Sequence, residues 1–174
     1  MIEFRAAGPG DADRVALLHA DSWRRHYRHT YSAAYLDGDV VADRSAVWSA
    51  RLAAPAGTHT VLAEDGGSLV GFAHVVFDQD ARWGSLIDNL HVSNDLRRTG
   101  VGSALVVRAA SAVVEHAANP RMYLWVLEAN VAAQRFYAAI GGDVVETAPV
   151  TGQYVIEPAT KLLVAWPDAT VLAG

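Results

Sequence analysis

Residues 90–105, Leu90-His91-Val92-Ser93-Asn94-Asp95-Leu96-Arg97-Arg98-Thr99-Gly100-Val101-Gly102-Ser103-Ala104-Leu105, govern how the rest of the chain is read. Leu90 and Val92 close an apolar strand, a short polar loop follows, and a helix opens behind Gly100 and Gly102. Glycine lets a backbone take unusual dihedrals and come close to a ligand, while the free first-turn N–H groups and the helix dipole attract an anion. A diphosphate suits such a turn, although Gly-x-Gly by itself also serves as a plain strand-to-helix turn.

Spacing narrows the choice. A P-loop requires Gly, four residues, then Gly-Lys followed by Ser or Thr, and the dinucleotide fingerprint requires a third Gly or Ala where Leu105 stands. The chain has neither.

A second motif follows in Leu124-Trp125-Val126-Leu127-Glu128-Ala129-Asn130-Val131-Ala132-Ala133-Gln134-Arg135-Phe136-Tyr137. Asn130 is a natural N-cap whose side chain can both donate and accept. Tyr137 lies seven residues on, two helical turns later, so both side chains leave nearly the same face. Taken alone, a helical tyrosine beside Phe136 is commonly a core residue.

Together, Arg97-x-x-Gly100-x-Gly102 after Leu90-x-Val92, and Asn130-x-x-Ala133-x-x-Phe136-Tyr137, resemble the GNAT superfamily of acyl-CoA-dependent N-acyltransferases. The likeness spans roughly residues 84–142. It implies an α/β fold with a central mixed, mostly antiparallel sheet of about seven strands flanked by about four helices. It also implies acetyl-CoA as cosubstrate, with no metal. On that resemblance the amides of Arg98, Thr99, Gly100, Val101, Gly102 and Ser103 hold the CoA diphosphate, with Arg97 at the motif's Arg/Gln position. Backbone groups of Leu90, His91 and Val92 meet the pantetheine arm and the thioester carbonyl, and Asn130 and Phe136 line the same channel. Tyr137 becomes the proton donor to the departing CoA thiolate, a role open to a phenol whose ordinary pKa is about 10. One departure is Gly141-Gly142 where many relatives carry Gly-Phe.

Working outward, residues 2–6 read as a strand, and Asp11 caps a helix running to about Arg28. A second helix is expected from Ser32 to Arg51, then strands at Thr60–Ala63 and Leu69–Phe77 joined by a Gly66-Gly67 turn. Further strands are expected at Gly84–Val92, Met122–Leu127, 143–148 and 154–165, with helices at Gly100–Ala117 and Asn130–Ile140. No internal repeat or low-complexity linker divides the chain, so residues 1–174 read as a single N-acetyltransferase domain.

Composition fits this reading. The chain is 52% hydrophobic and 19% charged, enough apolar surface to offset chain entropy. Its net charge of −5 argues against nucleic acid as a partner, which demands a concentrated basic face. The absence of cysteine removes disulfides, thiolate metal sites and a cysteine nucleophile. No apolar run reaches membrane-spanning length and the first residues lack a signal-peptide pattern, so a cytoplasmic location is expected. A homodimer is left open.

An amine attacks a thioester only when neutral, and a lysine-like amine has a pKa near 10.4, so a base is needed. Asp88 shares strand parity with Leu90 and Val92 and is the first candidate, unless a bulge alters its facing. His74, His91 and Glu128 are weaker ones. Trp23, Tyr27, Tyr31 and Tyr35 recur at intervals of four, and the first three are expected beside a small-molecule amine, since aromatic faces suit cations. Two other functions stay open: an acyltransferase acting on a protein N-terminus or lysine, and a CoA-binding sensor without catalysis.

Overall fold

The structure, a computed structural model, describes residues 1–173. Strand β1 (Ile2–Ala6) leads through Pro9-Gly10-Asp11 into α1 (Ala12–His26). Asp11 stands at the start of this helix, but its carboxylate does not cap the first turn. It accepts from the Gly8 amide at 2.8 Å and from both terminal nitrogens of Arg5 at 2.8 and 2.7 Å. These bonds tie the strand to the helix and hold the Asp11 carboxyl down at about 2.

The helix expected over 32–51 is two helices, α2 (Ala33–Asp37) and α3 (Val40–Ala53). Gly38 makes the break: a Cβ there would stand 2.7 Å from the Ala34 carbonyl oxygen, so only glycine permits so close a turn. Strands β2 (Thr58–Asp65), β3 (Ser68–Asp80) and β4 (Gly84–Val92) then form a meander, followed by α4 (Val101–His116), β5 (Met122–Leu127), α5 (Val131–Ala139), β6 (Asp143–Pro149) and β7 (Thr160–Trp166). The last strand starts six residues later than the sequence suggested. Pro158 cannot donate to a ladder, and Tyr154 is drawn away to stack on Tyr35 with ring centroids 3.9 Å apart.

The sheet runs β1-β2-β3-β4-β5-β7-β6, antiparallel except between β4 and β5. Both faces are covered. On one, Val75 and Ile87 pack with Val106, Val113 and Tyr137 from α4 and α5. On the other, Leu62 and Phe72 pack with Val15 and Trp48 from α1 and α3. Two-sided burial explains why β3 reads as a nearly continuous apolar run, Val70–Phe77, broken only by Gly71 and His74.

The parallel pair is short. β4 and β5 are in register only at Ser85↔Met122 and Leu86↔Tyr123. β5 continues beside β7 through Leu127, and β4 continues beside β3 through Val92, so past Leu86 the two strands have separate partners and a cleft opens between them. The β3–β4 register slips between His74 and Val75, leaving Asp88 as the extra residue of a bulge. A bulge bends its strand and increases its twist, which suits the parting of β4 from β5.

Candidate active site

The cleft leads to the turn between β4 and α4. Arg98 has φ 68° and Gly100 φ 90°, two left-handed residues that coil the backbone just before the 16-residue α4. Among the described residues, the amides of Arg98, Gly100, Val101, Gly102 and Ser103 have no hydrogen-bond acceptor, whereas Thr99 donates to the Leu96 carbonyl at 3.4 Å. Five free N–H groups at a helix mouth make an anion cradle of backbone alone.

The two sequence motifs meet at Gly102. A Cβ built there would lie 3.8 Å from Val92 Cγ2 and 3.9 Å from Phe136 Cζ, so glycine keeps the floor between β4 and α5 low. Asn130 caps α5, its Oδ1 accepting from the Ala133 amide at 3.2 Å, while its side-chain NH2 has no partner among the described residues. Gln134, to which the sequence reading gave no role, reaches back to the carbonyls of Leu127 and Glu128 at 3.3 and 2.5 Å and fixes the end of β5.

Tyr137 is 8% exposed, packed against Phe136 and edge-on to Trp166. Burial, with a smaller contribution from the neighbouring Tyr27 phenol, pushes its hydroxyl well above the ordinary tyrosine value. That hydroxyl has no hydrogen-bond partner among the described residues, yet it is not among the polar atoms sealed from solvent.

The facing expected for Asp88 is corrected by the bulge. Leu90 and Val92 turn toward Val101 and Leu105 of α4, whereas Asp88 turns to the opposite face, where its Oδ2 accepts from Arg51 of α3 at 2.6 Å. Oδ1 has no hydrogen-bond partner among the described residues. His91 shares this second face: Ser22 Oγ lies 2.8 Å from its Nδ1, and the His19 ring is 4.7 Å away. Burial pulls its pKa down to about 3, so the imidazole is neutral at physiological pH. His74 is committed elsewhere, bonded through Nδ1 to Thr60 Oγ1 at 2.7 Å and buried. Glu128 is exposed and, with His29 and Glu157, rims a cleft of about 290 Å³ at the end of β5.

The aromatic residues form a cluster, but not as a helical stripe. Helix α1 stops at His26 and Tyr27 caps it, yet the returning loop lays Tyr31 flat on Trp23, 4.9 Å apart and 11° from parallel. Tyr27 stands edge-on to both and is pushed up to about 12 by burial. Arg25 and Arg28 pair with Asp21 and Asp37 at 2.8 Å each.

A group beside this cluster was not singled out in the sequence: the buried His19 and Trp48 with the half-buried Arg44 and Arg51. Trp48 Nε1 donates to His19 Nδ1 at 3.0 Å, and the Arg44 and Arg51 guanidiniums lie 4.9 and 5.0 Å over the Trp23 and Trp48 rings. Arg44 and Arg51 are two helical turns apart on α3, a spacing that a charged helix surface shows routinely and that carries no signal until the partner rings are known.

Comparison with known proteins agrees with this geometry. The chain is 26% identical over 177 residues to the uncharacterized N-acetyltransferase YuaI of Bacillus subtilis (strain 168), covering 99% of this chain and 96% of that protein. It shares its fold with the crystal structure of PaiA N-acetyltransferase from Thermoplasma acidophilum in complex with coenzyme A, at a TM-score of 0.73 and 17% identity, covering 95% of this chain and 98% of that one. Arabidopsis thaliana NAA60, solved with a bisubstrate analogue, superposes at a TM-score of 0.71 with 19% identity over 95% and 98% of the two chains. Residues 14–141 match the Acetyltransferase (GNAT) family, and with three quarters of its length inside that match the chain belongs to this family of acetyltransferases.

Proposed function

We propose that this protein transfers an acetyl group from acetyl-CoA to the primary amine of a small molecule, by direct attack while both are bound. The observation that carries the reading is the set of five unbonded amides from Arg98 to Ser103 at the foot of the β4–β5 cleft. A diphosphate supplies the acceptor oxygens these donors lack, and the cleft admits a narrow arm between the strands. Acetyl-CoA supplies the activated acyl group.

The chain's own residues account for the rest. Backbone groups of Leu90, His91 and Val92 have no partner strand on the cleft side and can orient the arm and its carbonyl. Asn130 retains two side-chain donors after capping α5. The acceptor amine approaches from the α1–α3 face of β4, where Asp88 Oδ1 takes up its proton directly or through water, with Arg51 fixing the other oxygen. Trp23, Tyr27 and Tyr31 cluster on this side; Tyr31 and Arg44 already lie over the Trp23 ring, so the tyrosine rings hold the ammonium before it is deprotonated. Tyr137, protonated and without a partner among the described residues, donates to the sulfur as it leaves.

The test is thiol release from acetyl-CoA by purified protein with a panel that includes small amines, lysine-containing peptides and free peptide N-termini. Small amines should turn over at least about tenfold faster than any peptide. Tyr137→Phe should lower kcat by roughly 100-fold with little change in acetyl-CoA affinity measured by calorimetry. Unchanged turnover in that variant removes Tyr137 as donor, and tight acetyl-CoA binding without transfer to any acceptor overturns the catalytic reading.

A further inference from the structure

Three buried side-chain nitrogens lack any hydrogen-bond partner among the described residues: His19 Nε2, Arg44 Nε and Arg51 Nη1. They belong to one neighbourhood. His19 and both arginines surround Trp48 or Trp23, and the positive charges of Arg44 and Arg51 help hold His19 neutral, after the larger effects of burial and His91.

All three are donors. An indole N–H can only donate, so its bond to His19 Nδ1 makes that nitrogen the acceptor and leaves the proton of the neutral ring on Nε2. Guanidinium nitrogens never accept. Buried donors without acceptors are costly and rare, and both arginines are only half-buried, Arg51 with 30% of its side chain exposed, so a ligand that reaches this group from solvent meets donors alone.

Charge points the same way. Asp88 pairs with Arg51, while no carboxylate forms an ion pair with Arg44 among the described residues. The two guanidiniums are braced against indole faces, which orders them before any ligand arrives. They stand on the face of β4 that carries Asp88 and His91, the side from which the acceptor amine enters in the reading above.

Resting on that reading, we propose that the acceptor is an amino acid: a small amine that also carries a carboxylate or phosphonate, seated against Arg44 and Arg51 while its amine faces the cleft. Arg51 then links the acidic group of the substrate to Asp88, so binding of the correct acceptor also positions the residue that receives its proton.

The experiment compares n-alkylamines with ω-amino acids and ω-aminoalkylphosphonates of the same chain length, from one to five methylenes, by kcat/KM in the thiol-release assay. The expected result is that at one chain length or more an acidic amine exceeds its alkylamine by on the order of 100-fold. Arg44→Gln should collapse that ratio to within about threefold and Arg44→Lys should recover part of it. The proposal is overturned if every acidic amine matches or trails its alkylamine, or if Arg44→Gln slows both members of each pair equally. Calorimetric titration of the same amino acids into the unmodified protein and into Arg44→Gln separates the two readings. Arg44-dependent binding without acetyl transfer sinks the catalytic reading and leaves the anion site standing, while transfer to alkylamines with no acidic preference does the reverse.

Discussion

Gly84 meets Arg121 across the start of the β4–β5 pair so closely that a Cβ at position 84 would collide with the Arg121 carbonyl group. The contact lies directly before the two rungs that join these strands among the described residues, Ser85↔Met122 and Leu86↔Tyr123, and the Ser85 amide donates to the same Arg121 carbonyl at 3.0 Å. Everything beyond is cleft. Gly84 also has φ 84°, so any side chain there meets both a backbone clash and a left-handed backbone. Gly84→Ala should therefore lower the unfolding free energy by about 3 kcal/mol or more, measured by urea denaturation. A loss below about 1 kcal/mol would show that the strands re-pair easily, and that the joint does not set the opening.

Asn130 separates a structural role from a binding one. Its Oδ1 caps α5, and its NH2 has no partner among the described residues. Asn130→Ser keeps a competent cap and should cost no more than about 0.5 kcal/mol in stability, while Asn130→Ala should cost about 1 kcal/mol. Both should weaken acetyl-CoA binding to a similar degree, because both lose the same two donors. Full affinity in the serine variant would assign Asn130 to capping alone.

Gly102 tests the cradle without disturbing the fold. A methyl group there makes only ordinary contacts with Val92 and Phe136, and the residue lies in the first turn of a helix that alanine favours. Gly102→Ala should leave the melting temperature within a few degrees, and the bulkier Gly102→Val should raise KM for acetyl-CoA by about tenfold or more through crowding of the turn. If the valine variant keeps its KM, the diphosphate does not lie over this turn.

Acid should unfold the protein well before its carboxylates titrate. His19 and His74 are each 1% exposed and neutral, with His74 held down to about 4 by burial and His19 lower still. In the unfolded chain both regain a value near 6.5, so below that pH the unfolded state binds more protons and stability falls. The stability they confer is complete above about pH 6.5 and is lost as the pH drops toward 4, at up to about 1.4 kcal/mol per pH unit for each ring. Asp11, held at about 2 chiefly by Arg5, acts in the same direction at lower pH, its contribution fading from about 4 to about 2. Urea midpoints between pH 7.5 and 4.5 should decline most steeply below 6.5, and a flat profile would mean that these imidazoles are protonated inside the fold.

The Gly141-Gly142 step, the visible departure from the family pattern, has a packing cause. A Cβ at Gly142 would stand 2.6 Å from Val164 and 2.7 Å from Trp166, whose indole N–H is bonded to the Ile140 carbonyl at 3.1 Å. The large ring from β7 occupies the space, so the chain leaving α5 must be bare. Sequence could register the exception but not its cause, because residues 142 and 166 are far apart along the chain.

The sequence by itself determined the local objects: the seven strands, the glycine turn at Gly100 and Gly102, the helix that follows it, and the cap at Asn130. Each depends on residues within one or two helical turns of each other, where spacing and backbone preference act directly. Tertiary structure alone decided which way the middle of β4 faces, because one bulged residue turned Asp88 from α4 toward Arg51. It also decided that His19, Arg44, Trp48 and Arg51 form one donor-rich group, and that Trp23 and Tyr31 stack across a loop. Those arrangements come from packing between distant segments, and side-chain periodicity carries no record of which ring or carboxylate a neighbouring element will present.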